Sequence, residues 1–253
     1  MRRYRALVEY DGTAYCGFQK QLADPTIQGE IERALSQVSG QTVVVTGAGR
    51  TDTGVHARGQ VISFEVAWRH GCEALQRALN ATLPADIAIL QLDTVQPEFH
   101  PRYDARKRVY NYHIANEPVR SPLRRHYSWH VSRPLAVDQM NVAAASLVGV
   151  HDFATFGRPP QGINTIREVF TAVWRRETAE LLVFEIAATA FLHRMVRRIV
   201  GSLKLVGDGT WLVETFLDAF QACDQDRCGI LAPPQGLYLV HVDYDELKVK
   251  DSR

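Results

Sequence analysis

The chain has 253 residues, 46% hydrophobic and 23% charged, with a formal net charge of +1. This is the composition of a globular protein with a sizeable core, long enough for two small domains, and it excludes a disordered or fibrous chain. No apolar run approaches the roughly 18 residues of a membrane helix, and the start, Met1-Arg2-Arg3-Tyr4, lacks an apolar leader. A cytoplasmic protein with no membrane partner is expected.

Residues 5–10 read as a strand. Thr26 is the expected N-cap of a helix carrying Ile27, Ile31, Leu35 and Val38 at helical spacing. A strand rich in β-branched residues follows at 42–46, and residues 60–66 alternate with Ile62, Phe64 and Val66 on one face. Residues 72–83 pair Leu75, Ala78 and Leu79 at helical spacing before Pro84, and residues 87–95 form the next strand. The order β-α-β-β-α-β is the split βαβ of a ferredoxin-like domain.

After a polar joint at 97–104 the order recurs. Strands are expected at 108–115, 168–175, 181–189 and 236–242, with helices at 137–148, 192–206 and 213–222. Segments 120–133 and 153–164 are long insertions in this half, and long irregular segments in compact domains are often functional. The expected fold is α+β, with two ferredoxin-like halves, 1–103 and 104–253, whose antiparallel sheets form a central cleft.

Between the strands at 42–46 and 60–66 lies the segment richest in functional groups. It places one carboxylate, Asp52, among several glycines, the cations Arg50 and Arg58, and the hydroxyls of Thr51 and Thr53. A loop held by a rigid scaffold at both ends is a favoured place for catalytic residues. The neighbouring cations favour the ionised carboxylate, which suits a nucleophile or charge partner rather than a general acid.

The charge is segregated. Residues 102–133 hold eight cations against Asp104 and Glu117, interleaved with Tyr103, Tyr110, Tyr112, Tyr127 and Trp129. Residues 191–204 hold Arg194, Arg197, Arg198 and Lys204 with no acid. Basic segments with interleaved aromatics suit a nucleic acid, the cations for phosphates and the rings for bases. On the helix at 192–206 the core stripe is Leu192, Val196, Ile199, Val200 and Leu203, with Arg197 on its flank. Such an arginine either snorkels from a core margin or points into a cleft.

The four cysteines, Cys16, Cys72, Cys223 and Cys228, form no CxxC pair, so no metal is expected. The glycines near Asp52 hint at a phosphate loop, but no Gly-Lys-Ser/Thr follows and the loop leads into a strand. A non-catalytic RNA-binding module accounts for the cations and aromatics, but it leaves Asp52 unexplained, because a carboxylate near phosphates costs affinity.

Several motifs resemble the TruA family of tRNA pseudouridine synthases. They are Tyr10-Asp11-Gly12-Thr13, Gly49-Arg50-Thr51-Asp52-Thr53-Gly54-Val55-His56-Ala57, Leu83-Pro84-Ala85-Asp86-Ile87, Arg108-Val109-Tyr110-Asn111-Tyr112, residues 191–201, and Ala232-Pro233-Pro234-Gln235-Gly236-Leu237-Tyr238. Their order and spacing cover nearly the whole chain, with the stretch 157–166 matched least. The resemblance implies a tRNA partner, uridines at positions 38 to 40 of the anticodon arm as targets, a homodimer and no cofactor. It implies that Asp52 is the catalytic aspartate, acting on the uracil ring or at the ribose. It further implies that Tyr110 packs on the target base, that Arg197 pairs with the Asp52 carboxylate, and that Arg50 helps displace the nucleotide from its stack. Arg58 joins Arg50, Tyr110 and Arg197 as an expected substrate-binding residue.

Overall fold

The computed structural model describes residues 1–159 and 162–245. Two residues of the expected insertion at 153–164, and the expected second half from 246 on, lie outside the described residues. Contacts divide the α+β chain into two units. The first is Met1–Lys107 with the described chain from Tyr238, and the second is Arg108–Leu237.

The first unit runs β1 (Arg2–Tyr10), α1 (Ile27–Ser39), β2 (Thr46–Gly47), β3 (His56–Val66), α2 (Cys72–Thr82) and β4 (Ile87–Thr94). The antiparallel strand order β4-β1-β3-β2 is the ferredoxin-like arrangement read from the sequence. On β1 the side chains Tyr4, Ala6, Val8 and Tyr10 are buried in alternation, and Tyr4 stacks on Phe64 of β3 at 5.6 Å. Ile27, Ile31, Ala34 and Leu35 of α1 and Leu75 and Leu79 of α2 supply the helical side of this core. Thr26 caps α1 as expected, its hydroxyl accepting from the Gly29 N–H at 3.2 Å.

The strand expected at 42–46 shrinks to the two residues of β2. Val43 and Val45 are buried in alternation with exposed Thr42 and Val44, which explains the sequence signal. However, α1 side chains take both backbone groups of Val45. Its N–H donates to Glu32 Oε1 at 3.1 Å and its carbonyl accepts from Gln28 Nε2 at 3.0 Å. At the other end β3 starts four residues earlier than its alternation suggests, because Ala57 pairs with Tyr10 and both His56 and Ala57 pair with the last strand.

That last strand, β10 (Leu237–Tyr244), was expected to close the second half. From Tyr238 on it groups with the first unit instead, running parallel to β3 with Tyr238 opposite His56 and Leu239 opposite Ala57. Residues 99–107 are tied to the same strand. Phe99 packs against Tyr244, the Tyr244 hydroxyl donates to the Pro101 carbonyl at 2.7 Å, Lys107 pairs with Asp243 at 2.7 Å, and Arg106 pairs with Asp245.

The second unit contains β5 (Ala105–Ala115) from Arg108 on, β6 (Trp129–His130), α3 (Val137–Ala145), β7 (Gly149–Asp152), β8 (Ile166–Arg176), β9 (Leu181–Ala188), α4 (Met195–Gly207) and α5 (Val213–Gln221). Its antiparallel order is β5-β9-β8-β7, with β6 lying parallel to the end of β5. The order β-α-β-β-α thus recurs as β5-α3-β8-β9-α4. The short strand β7 carries no buried side chain, so it left no apolar period to read. Helix α4 begins three residues later than its stripe suggests. The His193 N–H donates to the Arg158 carbonyl at 3.0 Å, and Arg194 takes a φ of 61°, so the chain is not helical there.

In this unit Trp174 of β8 stacks on Phe184 of β9 at 5.0 Å. On its other edge β8 runs past the end of β7, and Asn141 of α3 stands in for a strand. Its amide donates to the Trp174 carbonyl at 3.0 Å and accepts from the Trp174 N–H at 2.7 Å. No helix among the described residues is long and apolar enough to cross a membrane.

Asn141→Ala leaves both backbone groups of Trp174 without these partners, so it is expected to lower stability by about 1–3 kcal/mol. Urea denaturation of the two proteins checks this. An unchanged midpoint means that water replaces the amide at no cost.

Candidate active site

The first unit fixes Asp52 through its backbone neighbours. Residues 51–55 lie against residues 12–18, and two glycines make the approach possible. A Cβ on Gly12 would sit 2.0 Å from the Val55 carbonyl oxygen, and one on Gly17 would sit 2.7 Å from that of Thr51. Gly17 also has a φ of +89°, which a side chain disfavours. The Phe18 N–H donates to the Thr51 carbonyl at 3.1 Å, the Gly54 N–H to the Tyr15 carbonyl at 3.4 Å, and the Val55 N–H to the Asp52 carbonyl at 3.1 Å.

Behind this contact stands α1. Its first amides, those of Ile27 and Gln28, donate to the carbonyls of Gly17 and Phe18 at 3.2 and 2.9 Å. These are two of the orphan donors at a helix start, which need partners from outside the helix. The helix is thereby hydrogen-bonded to the segment that holds the Asp52 loop. Tyr15 is anchored in turn, its hydroxyl donating to Asp86 at 2.6 Å, and burial beside that carboxylate raises its phenol above the usual range.

Side chains complete the clamp. Tyr10 and Thr51 share a buried hydroxyl–hydroxyl bond of 2.8 Å. Burial pushes the Tyr10 phenol up to about 12, so it stays neutral as a hydrogen-bond partner at physiological pH. Gln60, fully buried, donates to the Gly49 carbonyl at 2.8 Å. Asp52 itself is half-buried and Arg50 is exposed. His56 is buried, accepts from the Gly12 N–H at 3.1 Å and stacks on Tyr238 at 4.8 Å. Arg58 lies over the same Tyr238 ring, 5.2 Å from its centroid, a cation–π distance.

The second unit carries the other two expected site residues. Tyr110, on β5 opposite Ile186, is 8% exposed and meets the edge of Phe191 at 5.0 Å. Arg197, in the first turn of α4, is also 8% exposed. Its Nε donates to the Ala232 carbonyl at 2.8 Å, and the Ala232 N–H returns a bond to the Arg197 carbonyl at 3.1 Å. Next to it the Tyr112 hydroxyl donates to the Pro233 carbonyl at 2.7 Å, and burial pushes that phenol well above its ordinary range. The Arg197 side chain is thus largely buried and held by a backbone carbonyl. Asp52, Arg50 and Arg58 thus belong to one unit, and Tyr110 and Arg197 to the other. Among the described residues no three His, Cys, Asp or Glu side chains gather as a metal-binding set.

The family model described as tRNA pseudouridine synthase matches residues 6–104 and 143–245. The chain belongs to the tRNA pseudouridine synthase family. A tRNA pseudouridine synthase A of Methylocella silvestris is 43% identical over 252 residues, covering 97% of this chain and 100% of the relative. The protein of that name in a Thermoanaerobacter species is 41% identical over 245 residues, covering 96% and 100%. Among solved structures, a chain in the crystal structure of a Cbf5–Nop10–Gar1 complex is similar over 79% of this chain, at 10% identity and a TM-score of 0.36. This chain spans 44% of that one's length. As a pseudouridine synthase the chain is an isomerase.

In this synthase the supporting residues are less legible than the motif they serve. Tyr238 closes the last motif, yet nothing in the sequence announces that its ring meets both His56 and Arg58. Phe191 opens another motif, and only the structure shows its edge against Tyr110. The Tyr10–Thr51 bond joins two motifs 41 positions apart.

Gly17→Ala tests the backbone contact. The strained φ alone is expected to cost about 1–2 kcal/mol of stability, and displacement of residues 51–53 is expected to slow pseudouridine formation by more than about tenfold, ~1.4 kcal/mol. Thermal unfolding and turnover are measured on the same preparation. Wild-type turnover in a destabilised protein means that the contact supports the fold without positioning Asp52.

Proposed function

We propose that the chain converts uridine to pseudouridine in tRNA, at one or more of positions 38 to 40 of the anticodon arm, with Asp52 as the catalytic carboxylate. The observation that carries this reading is the Asp52 loop: a half-buried acid on a backbone clamped by Tyr15, Phe18, Tyr10 and Gln60. Holding a reacting group in the right geometry can take several kcal/mol off a barrier, up to about 7–11 kcal/mol in the best cases.

The isomerisation breaks the bond from ribose C1′ to uracil N1 and forms one from C1′ to C5. The proton at C5 is lost, and N1 ends protonated. No electrons are exchanged with a partner and no phosphate is cleaved, so the reaction requires no redox cofactor or nucleotide. The carboxylate serves either route, adding to the uracil ring as a nucleophile or removing a proton from the ribose.

A uridine in a stem must leave the stack before either route begins. Arg50, exposed beside Asp52, is assigned to that displacement. Tyr110, with its ring braced by Phe191, is assigned to stacking on the extruded base, and Arg58 to substrate contact. Arg197 is assigned to the carboxylate during the reaction. The brace of its Nε on Ala232 supports a fixed guanidinium, whose planar fork suits a carboxylate. The active form is proposed to be a homodimer engaging tRNA, a state that sedimentation of the purified protein reads directly.

Asp52→Asn and Asp52→Ala are expected to abolish pseudouridine formation while keeping tRNA affinity within about tenfold, ~1.4 kcal/mol. Base-resolution mapping on unmodified transcripts and filter binding make the measurement. Near-wild-type turnover in Asp52→Ala ends the catalytic assignment.

Arg50→Ala is expected to slow single-turnover conversion most on a stable stem and least on a transcript mismatched at the target. If the mismatch does not narrow the gap between variant and wild type, Arg50 acts in the chemical step or in holding Asp52.

A further inference from the structure

The insertion at 120–133 encloses a feature that the catalytic assignment does not use. A cavity of about 480 Å³ opens within the second unit, lined by Arg120, Arg124, Arg125, Ser128, Trp129 and His130 among others. No carboxylate lines it. Arg120 and Arg125 are exposed, and Arg125 donates to the Pro122 carbonyl at 3.0 Å. Glu117 Oε1 lies 3.6 Å from Arg124 Nη1, too far for a hydrogen bond, and neither atom makes one elsewhere.

The aromatic side is firmer. Trp129 sits on β6, in register with Ile114 of β5, and its ring meets the edge of buried Tyr112 at 6.3 Å. It is half-buried and lines the cavity. His130 is fixed by a 2.8 Å bond between its Nε2 and the Glu117 carbonyl. The wall of the cavity thus pairs a trio of guanidinium groups with a rigid aromatic surface.

Arg124 is paired with Glu117 at 3.6 Å, whereas Arg120 and Arg125 are exposed and no acid lines the cavity; such guanidinium groups select an anion, and arginine forks match phosphate oxygens. An indole on a rigid strand offers a stacking face, which every base can use. A nucleotide unit combines both demands in one ligand. We propose that this cavity is a subsite for a single nucleotide of the RNA substrate, with its phosphate held by Arg120, Arg124 and Arg125 and its base laid against Trp129. The proposal rests on the reading of the chain as an enzyme acting on tRNA.

The test reads binding and not turnover, so it stands apart from the catalytic assignment. The double variant Arg120→Ser/Arg125→Ser changes exposed side chains and leaves the core intact. Its affinity for an unmodified tRNA transcript is expected to fall by more than about tenfold in low salt. The slope of log affinity against log salt is expected to drop by about 0.7–0.9 for each phosphate that the variant no longer neutralises. Arg77→Ser, on the exposed face of α2, is the control for removal of a surface charge and should keep the wild-type slope. Photo-crosslinking of a 4-thiouridine-substituted transcript should label the peptide containing Trp129.

A double variant with wild-type affinity and slope overturns the proposal, as does an equal fall in slope in Arg77→Ser, which makes the effect one of net charge. Crosslinks that avoid residues 120–130 also overturn it. Uridine monophosphate competing for the labelled peptide as well as the transcript does would assign the cavity to a free nucleotide and overturn the RNA assignment. If the wild type binds tRNA with these signatures but forms no pseudouridine, the catalytic reading fails and the subsite stands.

Discussion

The architecture of the first unit depends on one contact between two stretches of backbone. Residues 12–18 and 51–55 approach so closely that side chains at positions 12 and 17 would overlap carbonyl oxygens of the Asp52 loop. Backbone groups are stiffer than side chains, since each residue has only two soft dihedrals. A loop held by main-chain bonds to Tyr15 and Phe18 therefore keeps its one carboxylate in place better than a loop held by side chains alone. The helix start of α1 and the Tyr15–Asp86 bond extend the support outward, so that a helix, a turn and a strand end all bear on the same few residues.

The second unit solves a different problem. Burying a guanidinium is costly unless its donors are satisfied, and Arg197, in the first turn of α4, is nearly buried. The reciprocal bonds with Ala232 meet part of that need, and the neighbouring Pro233 carbonyl takes the Tyr112 hydroxyl. Residues 232–233 thus serve as a polar lining for an otherwise apolar region. This gives the Ala232-Pro233 part of the last motif a physical reason that its sequence does not disclose.

Much of the fold was legible because apolar periodicity survives wherever an element buries one face. Helices α1, α2, α4 and α5 and strands β1, β4 and β8 all show it. The exceptions share a cause. The stretch 42–45 has strand periodicity but gives the backbone of Val45 to Gln28 and Glu32. Strand β7 has the hydrogen bonds of a strand but no buried face. Periodicity reports burial, whereas strand identity is decided by hydrogen bonding, and in these two places burial and bonding part company.

The sequence by itself determined the α+β class, the β-α-β-β-α order in both halves, the family, and the residues that carry its motifs. These are properties of local pattern and of motif order along the chain. Only the tertiary structure decided that β10 joins the first unit beside β3, that Tyr238 meets both His56 and Arg58, and that Arg197 is buried against Ala232. It alone placed the three arginines and Trp129 around one cavity. Each of these joins residues far apart in sequence or lying within an irregular segment, and their proximity follows from packing and hydrogen bonding that no local period encodes.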